Sequence, residues 1–174
     1  MTFSDVTFLF RFLPLFLIIY YLTPPNYRNW PLLLGSLLFY YIGVQEHPWM
    51  LALLLFTALF TWGMGILINA LARGRKIALG ITLVLLFGCL LAFKYGGVFS
   101  GSSLLLPLGI SFYTFQTAAY IIDVYRHRIT AERSLPCYLT AVLMFPKLIS
   151  GPLVSYGELA HQLRYRNYNL RNFD

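Results

Sequence analysis

Three histidines are the residues best suited to general acid–base chemistry here, because an imidazole titrates near neutral pH. They are His47, His127 and His161. His127 lies between two arginines, where a catalytic base would be difficult to maintain, and it is best interpreted as a loop residue. For His47, in a predicted loop, and His161, on a predicted amphipathic helix, a catalytic role is the minority interpretation. Their spacing supports no Ser-His-Asp or Cys-His constellation.

The two cysteines do not indicate a metal site. Cys89 and Cys137 lie 48 positions apart in apolar stretches, and neither has a CxxC or Cys/His neighbourhood. The pair Gly96-Gly97 lacks the Gly-Lys-Ser/Thr that a phosphate-binding loop needs. The sequence therefore predicts no bound metal or cofactor.

Composition indicates the solvent in which these residues act. Of 174 residues, 59% are hydrophobic and 11% are charged, against about 45–50% and about 25% in soluble domains. This excludes a disordered chain, a secreted disulfide scaffold and a soluble domain. The predicted fold class is all-α: a polytopic integral membrane helical bundle with about five spanning helices and a broken or re-entrant sixth.

Six apolar runs define the predicted spans. They cover residues 6–22, 30–44, 48–72, 77–93, 104–124 and 137–154. Four residues break the sixth run: Pro146, Lys147, Gly151 and Pro152. The predicted domains are transmembrane helices over 1–154 and a cytoplasmic, juxtamembrane basic segment over 155–174.

Basic residues lie on alternate loops between the runs. The loops after spans one, three and five carry Arg28, Arg73, Arg75, Lys76, Arg126, Arg128 and Arg133, whereas Lys94 stands alone on the other side. The positive-inside rule then places these loops in the cytoplasm and the N-terminus outside. The net charge of +7 is therefore attributed to a lipid bilayer partner, and nucleic acid is rejected as a partner.

Span three carries a stripe of small and polar residues every four positions: Thr57, Thr61, Gly65 and Asn69. Close helix packing is the favoured interpretation, and the lining of a cavity is the alternative. Arg11, near the outer end of span one, can extend its charge to the interface.

Span five has the most structured sequence. Pro107 suits the first turn of a helix. Ser111, Thr114 and Ala118 share one face, and Asp123 is spaced to pair with Arg126. In the broken sixth run, Lys147 must snorkel, pair or face water, so that segment either lines a polar path or turns at the interface.

Two segments resemble the signature of a known family. Residues 106–126 include LPLGISFYTFQ and YIIDVYR, and residues 145–152 read FPKLISGP. Together with the first span, they resemble the membrane-bound O-acyltransferases, in particular the alginate O-acetyltransferase-like branch. The resemblance extends over roughly residues 1–163, and Lys147 departs from the usual family residue.

The resemblance implies transfer of an acyl group, typically acetyl, to hydroxyls of a cell-surface polysaccharide such as alginate. It implies acetyl-CoA or an acyl carrier as donor, accessory periplasmic acetylation proteins as partners, and the bacterial cytoplasmic (inner) membrane as location. The implied tunnel and structural residues are Pro107, Gly109, Ser111, Tyr113, Gln116, Asp123, Arg126, Pro146, Lys147, Gly151 and Pro152.

The catalytic histidine and the preceding Trp-His element of that family have no counterpart among these residues. The histidine is expected beyond Asp174, so we expect an N-terminal portion that is inactive alone. A small membrane transporter or channel subunit, or a non-catalytic membrane scaffold, is the alternative.

Overall fold

Seven helices make up the regular structure in a computed structural model, which describes residues 10, 12–24, 27–100, 106–145 and 156–164. They are α1 (Leu13–Leu22), α2 (Asn29–Gly43), α3 (Trp49–Ala70), α4 (Arg75–Ser100), α5 (Ile110–Tyr125), α6 (Leu135–Leu143) and α7 (Tyr156–Arg164). The all-helical prediction is therefore confirmed for the described ranges.

Two of these helices are long and apolar enough to cross a membrane. They are Trp49–Ala70, and Arg75–Gly96 within α4. The prediction of about five spans is confirmed only to this extent, because α1, α2 and α5 have 10, 15 and 16 residues, against about 20 for a full crossing.

The basic loops that follow α3 and α5 meet at one end of the bundle. The Arg75 guanidinium donates to the carbonyls of Val124 and Tyr125, at 3.2 Å each, which joins the start of α4 to the end of α5. Trp62, late in α3, donates its indole N–H to the carbonyl of Glu132, just before α6. We call this the basic end. It comprises the ends of α3 and α5 and the starts of α4 and α6.

Small residues on α3 allow α5 to approach closely. Gly65 is buried, and a Cβ added there would lie 2.7 Å from Cε1 of Tyr120 and 2.8 Å from its hydroxyl. Thr57 and Thr61 are also buried, and their hydroxyls bond backbone carbonyls one turn back. The structure thus shows close packing at Thr61 and Gly65, whereas Thr57 lines a cavity of about 270 Å³ and Asn69 is exposed.

The first turn of α5 begins later than predicted. Pro107 precedes the helix, in a turn closed by the Ile110 N–H on its carbonyl at 3.2 Å. Gly109 then adopts a φ of 71°, a left-handed conformation that favours glycine. This conformation is incompatible with continuation of a right-handed helix, so the prediction that Pro107 lies within the first helical turn was wrong.

The last turn of α5 also differs from the prediction. The Arg128 N–H bonds the carbonyl of Asp123 and the His127 N–H bonds that of Val124, with His127 at a φ of 57°. This is the Schellman arrangement of a helix end. The turn brings Arg128 to within 3.6 Å of the Asp123 carboxylate. The observed ion pair is therefore Asp123–Arg128, and the predicted pairing with Arg126 was wrong.

The sixth apolar run contains a short helix. α6 ends at Leu143, while α7 begins at Tyr156, whose hydroxyl contacts Glu132 near the basic end. The segment that contains Pro146, Lys147, Gly151 and Pro152 lies outside the described residues, as do Arg11 and residues 165–174. α7 confirms the predicted helix around position 161, and its buried residues are Tyr156, Leu159, Ala160 and Leu163.

Candidate functional site

The first motif segment packs against α6, which leads into the second motif segment, beside α2. Tyr113 from the first motif and Leu143, just before the second, share one buried cluster with Tyr40 of α2. The Gln116 side-chain N–H donates to the carbonyl of Ala141 at 2.9 Å. Residues that are 25 or more positions apart in the chain therefore form one contact region.

The end of α6 is completed by side chains from two other helices. In a continuous helix, the Phe145 N–H would donate to the carbonyl of Ala141. Here the Phe145 N–H donates to the Ser36 hydroxyl at 3.1 Å, and the Ala141 carbonyl accepts from Gln116. Both backbone groups are thereby paired inside the protein, as a break at membrane depth requires.

Tyr40 performs the same task at the start of α5. Its hydroxyl donates to the carbonyl of Leu108, directly before the left-handed Gly109, at 2.9 Å. Ser36 and Tyr40 are four positions apart on α2, so one face of this helix supports both irregular segments. Ser36 and Tyr40 were not identified from the sequence. Two hydroxyl side chains four positions apart in an apolar run could have indicated a shared polar role on one helix face.

We expect Gln116→Ala to lower the free energy of unfolding by about 1–3 kcal/mol, because it leaves the Ala141 carbonyl buried without its donor. Chemical denaturation in detergent measures this change. The exposed Gln45 provides a matched control, and Gln45→Ala should leave stability within about 0.5 kcal/mol of the parent. Equal stability of the two variants would show that this hydrogen bond does not stabilise the break.

A buried carboxylate forms a second polar centre near the basic end. Glu132 is 4% exposed and accepts from the Ser134 N–H at 3.0 Å and from the Tyr156 hydroxyl at 3.1 Å. Its own N–H donates to the Tyr120 hydroxyl at 3.1 Å. Burial raises the pKa of the Tyr156 hydroxyl, and the Glu132 carboxylate raises it further, so Tyr156 remains a donor at neutral pH.

Three tyrosine rings surround this carboxylate. The rings of Tyr120, Tyr138 and Tyr156 lie with centroids 4.8–5.8 Å apart. The hydroxyls of Tyr138 and Thr61 are 2.7 Å apart and share a hydrogen bond. This network joins α3, α5, α6 and α7. Glu132 was not identified from the sequence, because its position between Ala131 and Arg133 is typical of a solvated loop.

The predicted site residues therefore divide between two regions. Pro107, Gly109, Tyr113 and Gln116 lie at the start of α5 and in its first two turns, where Gln116 contacts α6. Asp123 and Arg126 lie at the basic end, seven or more residues further along, about 10 Å. Ser111 is half-buried.

The two histidines with described side chains, His127 and His47, lie at opposite ends of the bundle, and His47 shares a cavity with Leu106 and Leu108 of the first motif segment. The His127 ring contacts the Arg75 guanidinium at the basic end. His47 lies at the other end of the bundle, beside Glu46 in a cavity of about 400 Å³. Within the described ranges, no three His, Cys, Asp or Glu residues converge as a metal site.

Comparison with known proteins finds relatives whose names describe O-acetylation. The chain is 37% identical over 195 residues to a probable alginate O-acetylase of Azotobacter vinelandii, which covers 99% of this chain and 38% of the relative. A probable alginate O-acetylase of Pseudomonas aeruginosa is also 37% identical, covering 99% and 36%. A peptidoglycan O-acetyltransferase of Helicobacter pylori is 27% identical, covering 98% and 40%.

These matches confirm the resemblance drawn from the motifs: the chain is similar to bacterial proteins that are named as O-acetylating proteins. More particularly, its relatives at 35–39% identity are named alginate O-acetylases. The chain spans about two fifths or less of the length of these relatives. No family model and no solved structure matches it.

Proposed function

We propose that this chain forms part of a membrane-bound O-acyltransferase that transfers an acetyl group to hydroxyls of a cell-surface polysaccharide such as alginate. The observation that carries the proposal is the match over 99% of the chain to relatives named alginate O-acetylases. The packing of the first motif segment against α6, which leads into the second, adds structural support.

In the proposed acyl-transfer reaction, this chain has a structural role. A hydroxyl attacks the acyl carbon, a base accepts its proton, and the donor's carrier leaves. We propose that the base is a residue other than His127, which is held at Arg75, and other than His47, which lies in a loop beside Leu106 and Leu108. We assign to Tyr113, Gln116 and the Gly109 turn the positioning of the tunnel wall, and to the apolar bundle the exclusion of water from the activated acyl group.

The same proposal places the protein in the bacterial cytoplasmic membrane, with several crossings and the N-terminus outside. α3 and α4 are the supporting elements. The basic end then faces the cytoplasm, where acetyl-CoA or an acyl carrier supplies the acyl group. The polysaccharide and accessory periplasmic proteins meet the opposite end.

Cysteine labelling tests this orientation in a background without Cys89 and Cys137. Gly74→Cys, between α3 and α4, should react with an impermeant thiol reagent only when the cytoplasmic face is accessible. Gly97→Cys, late in α4, should react only from outside. The reverse pattern would contradict the proposed topology and the cytoplasmic route of the donor.

Acetyl transfer itself is tested with the gene expressed at its natural length. Membrane vesicles that contain the protein receive acetyl-labelled donor on the cytoplasmic face and alginate on the other. We expect alkali-labile label on the alginate, and vesicles without the protein serve as the control. Label that stays on the donor, with the protein present in the membrane, would contradict the proposal.

A further inference from the structure

A cavity of about 400 Å³ lies at the end of the bundle opposite the basic end, where α2 is connected to α3. Three consecutive polar residues of that connection, Gln45, Glu46 and His47, contribute to its wall, and the other side chains of the wall are apolar. The cavity is lined by residues 42–47, Met50, Leu106 and Leu108. A few polar groups on an apolar wall are typical of sites that bind small organic molecules, and the volume lies within their usual range of about 300–1,000 Å³.

Hydrogen bonds and close packing hold the frame of this cavity in place. The Tyr40 hydroxyl donates to the carbonyl of Leu108 at 2.9 Å, and a Cβ added at Gly43 would lie 3.3 Å from Cδ2 of Leu108. In the connection itself, the His47 N–H donates to the carbonyl of Val44 at 2.8 Å. The end of α2 and the first motif segment therefore face each other at a fixed distance, with the three polar residues on one side.

The floor of the cavity lies below the outer end of α3. α3 and α5 both end at the basic end, and Gly65 of α3 lies against Tyr120 of α5. Counted back equally along both helices, Ile110 at the start of α5 is level with Leu55. Leu55 is six residues from the start of α3, or about 9 Å. The cavity therefore leads from this end of the bundle down to the first motif segment.

Hydrogen-bond acceptors predominate in the wall. The Glu46 carboxylate accepts only, and the cavity lies at the C-terminal end of α2, whose last carbonyls carry partial negative charge. Within the described part of the chain, no lysine or arginine lines this cavity. Gln45 and His47 can each donate as well as accept. The wall thus favours a ligand that presents hydroxyl groups and disfavours one that presents a carboxylate.

Each sugar unit of a polyuronate such as alginate has two different edges. One edge carries hydroxyl groups, another carries the carboxylate, and the ring has C–H groups on its faces. The hydroxyl edge matches Glu46 and its two neighbours, and the C–H groups match Leu106 and Leu108. Glu46 repels the carboxylate edge, and a repulsive element of this kind is a source of specificity. The sugar is thereby oriented with its hydroxyls, the groups that accept acetyl, towards the protein.

We propose that this cavity binds one sugar unit of the acceptor polysaccharide by its hydroxyl edge, with Glu46 accepting from a hydroxyl and excluding the carboxylate edge. The inference rests on the proposed acetyl transfer and deepens it, because it names residues that bind the acceptor. Glu46 has a positioning role here: it decides which edge of the sugar enters, and it takes no part in the transfer of the acetyl group.

The test measures binding of short alginate oligomers to the detergent-purified protein at its natural length. Calorimetry gives the Kd, and saturation-transfer nuclear magnetic resonance shows which sugar protons lie against the protein. We expect stronger transfer to the protons beside the hydroxyls than to the proton beside the carboxylate. Glu46→Ala should raise the Kd about fivefold, and Glu46→Lys should shift the transfer towards the carboxylate edge. Glu158→Lys, at an exposed acidic residue near the basic end, should change neither quantity.

Acetyl transfer to the same oligomers is measured in parallel, and Glu46→Ala should raise the KM for the oligomer while kcat is retained. An unchanged Kd and an unchanged transfer pattern in both Glu46 variants would overturn the acceptor site, and so would a parent protein that acetylates the oligomers with the carboxylate edge against the protein. A parent protein that binds the oligomers as expected without acetylating them would contradict the proposed function instead.

Discussion

Replacing Gly65 with valine is expected to lower the free energy of unfolding by about 3 kcal/mol, because no space exists for the added atoms. Even a single Cβ would lie 2.7 Å from the Tyr120 ring. That ring is 1% exposed, and its hydroxyl accepts from the Glu132 N–H, so it cannot move aside freely. The valine must therefore separate α3 from α5, which disrupts the tyrosine cluster at the basic end.

The same helix provides the control for this prediction. A Cβ at Gly63 would have no atom within 4 Å, and Gly63 is exposed. Gly63→Val should change stability by no more than about 0.5 kcal/mol. Denaturation of the detergent-purified variants measures both values. Similar losses of stability in the two variants would mean that a β-branched residue in α3 causes the loss. Close packing against Tyr120 would then not be its cause.

Glu132→Ala is expected to cost about 2–4 kcal/mol, because a buried charged acceptor disappears and its donors remain. The Ser134 N–H and the Tyr156 hydroxyl both lose their partner. Since Tyr156 begins α7, this helix should detach before the rest of the bundle unfolds. Hydrogen exchange should show faster exchange of the α7 amides than in the parent protein.

Two further variants separate the acceptor role from the charge. Glu132→Gln retains one carbonyl oxygen and should give an intermediate loss, while Glu46→Ala, at an exposed acidic residue, should be neutral. Unchanged exchange of α7 in Glu132→Ala would show that the carboxylate does not hold α7 to the bundle.

Features that depend on neighbouring residues in the chain were predicted correctly from the sequence. Continuous apolar runs predicted the helices, and the small residues Thr61, Gly65 and Ala118 marked the packed faces of α3 and α5. Where the outcome depended on a turn, prediction failed. The left-handed conformations of Gly109 and His127 moved the start of α5 beyond Pro107 and brought Arg128, instead of Arg126, to Asp123.

The missed residues share a different cause. Ser36 and Tyr40 act on backbone groups 109 and 68 positions away. Their roles are set by which helix lies beside the breaks, and no local pattern encodes that neighbour. Glu132 likewise is buried by side chains of distant helices, namely Trp62, Tyr120 and Tyr156. Such roles follow from tertiary packing.

The acetyl ester content of exported alginate tests the central claim most directly. An alginate-producing strain that lacks its own O-acetylase receives the gene for this protein at natural length, and nuclear magnetic resonance of the purified polymer counts acetyl groups. We predict acetyl esters on the polysaccharide hydroxyls, and none with the empty vector. Alginate that remains free of acetyl groups, although the protein is present in the membrane, would contradict the assignment of this chain to a polysaccharide O-acetyltransferase.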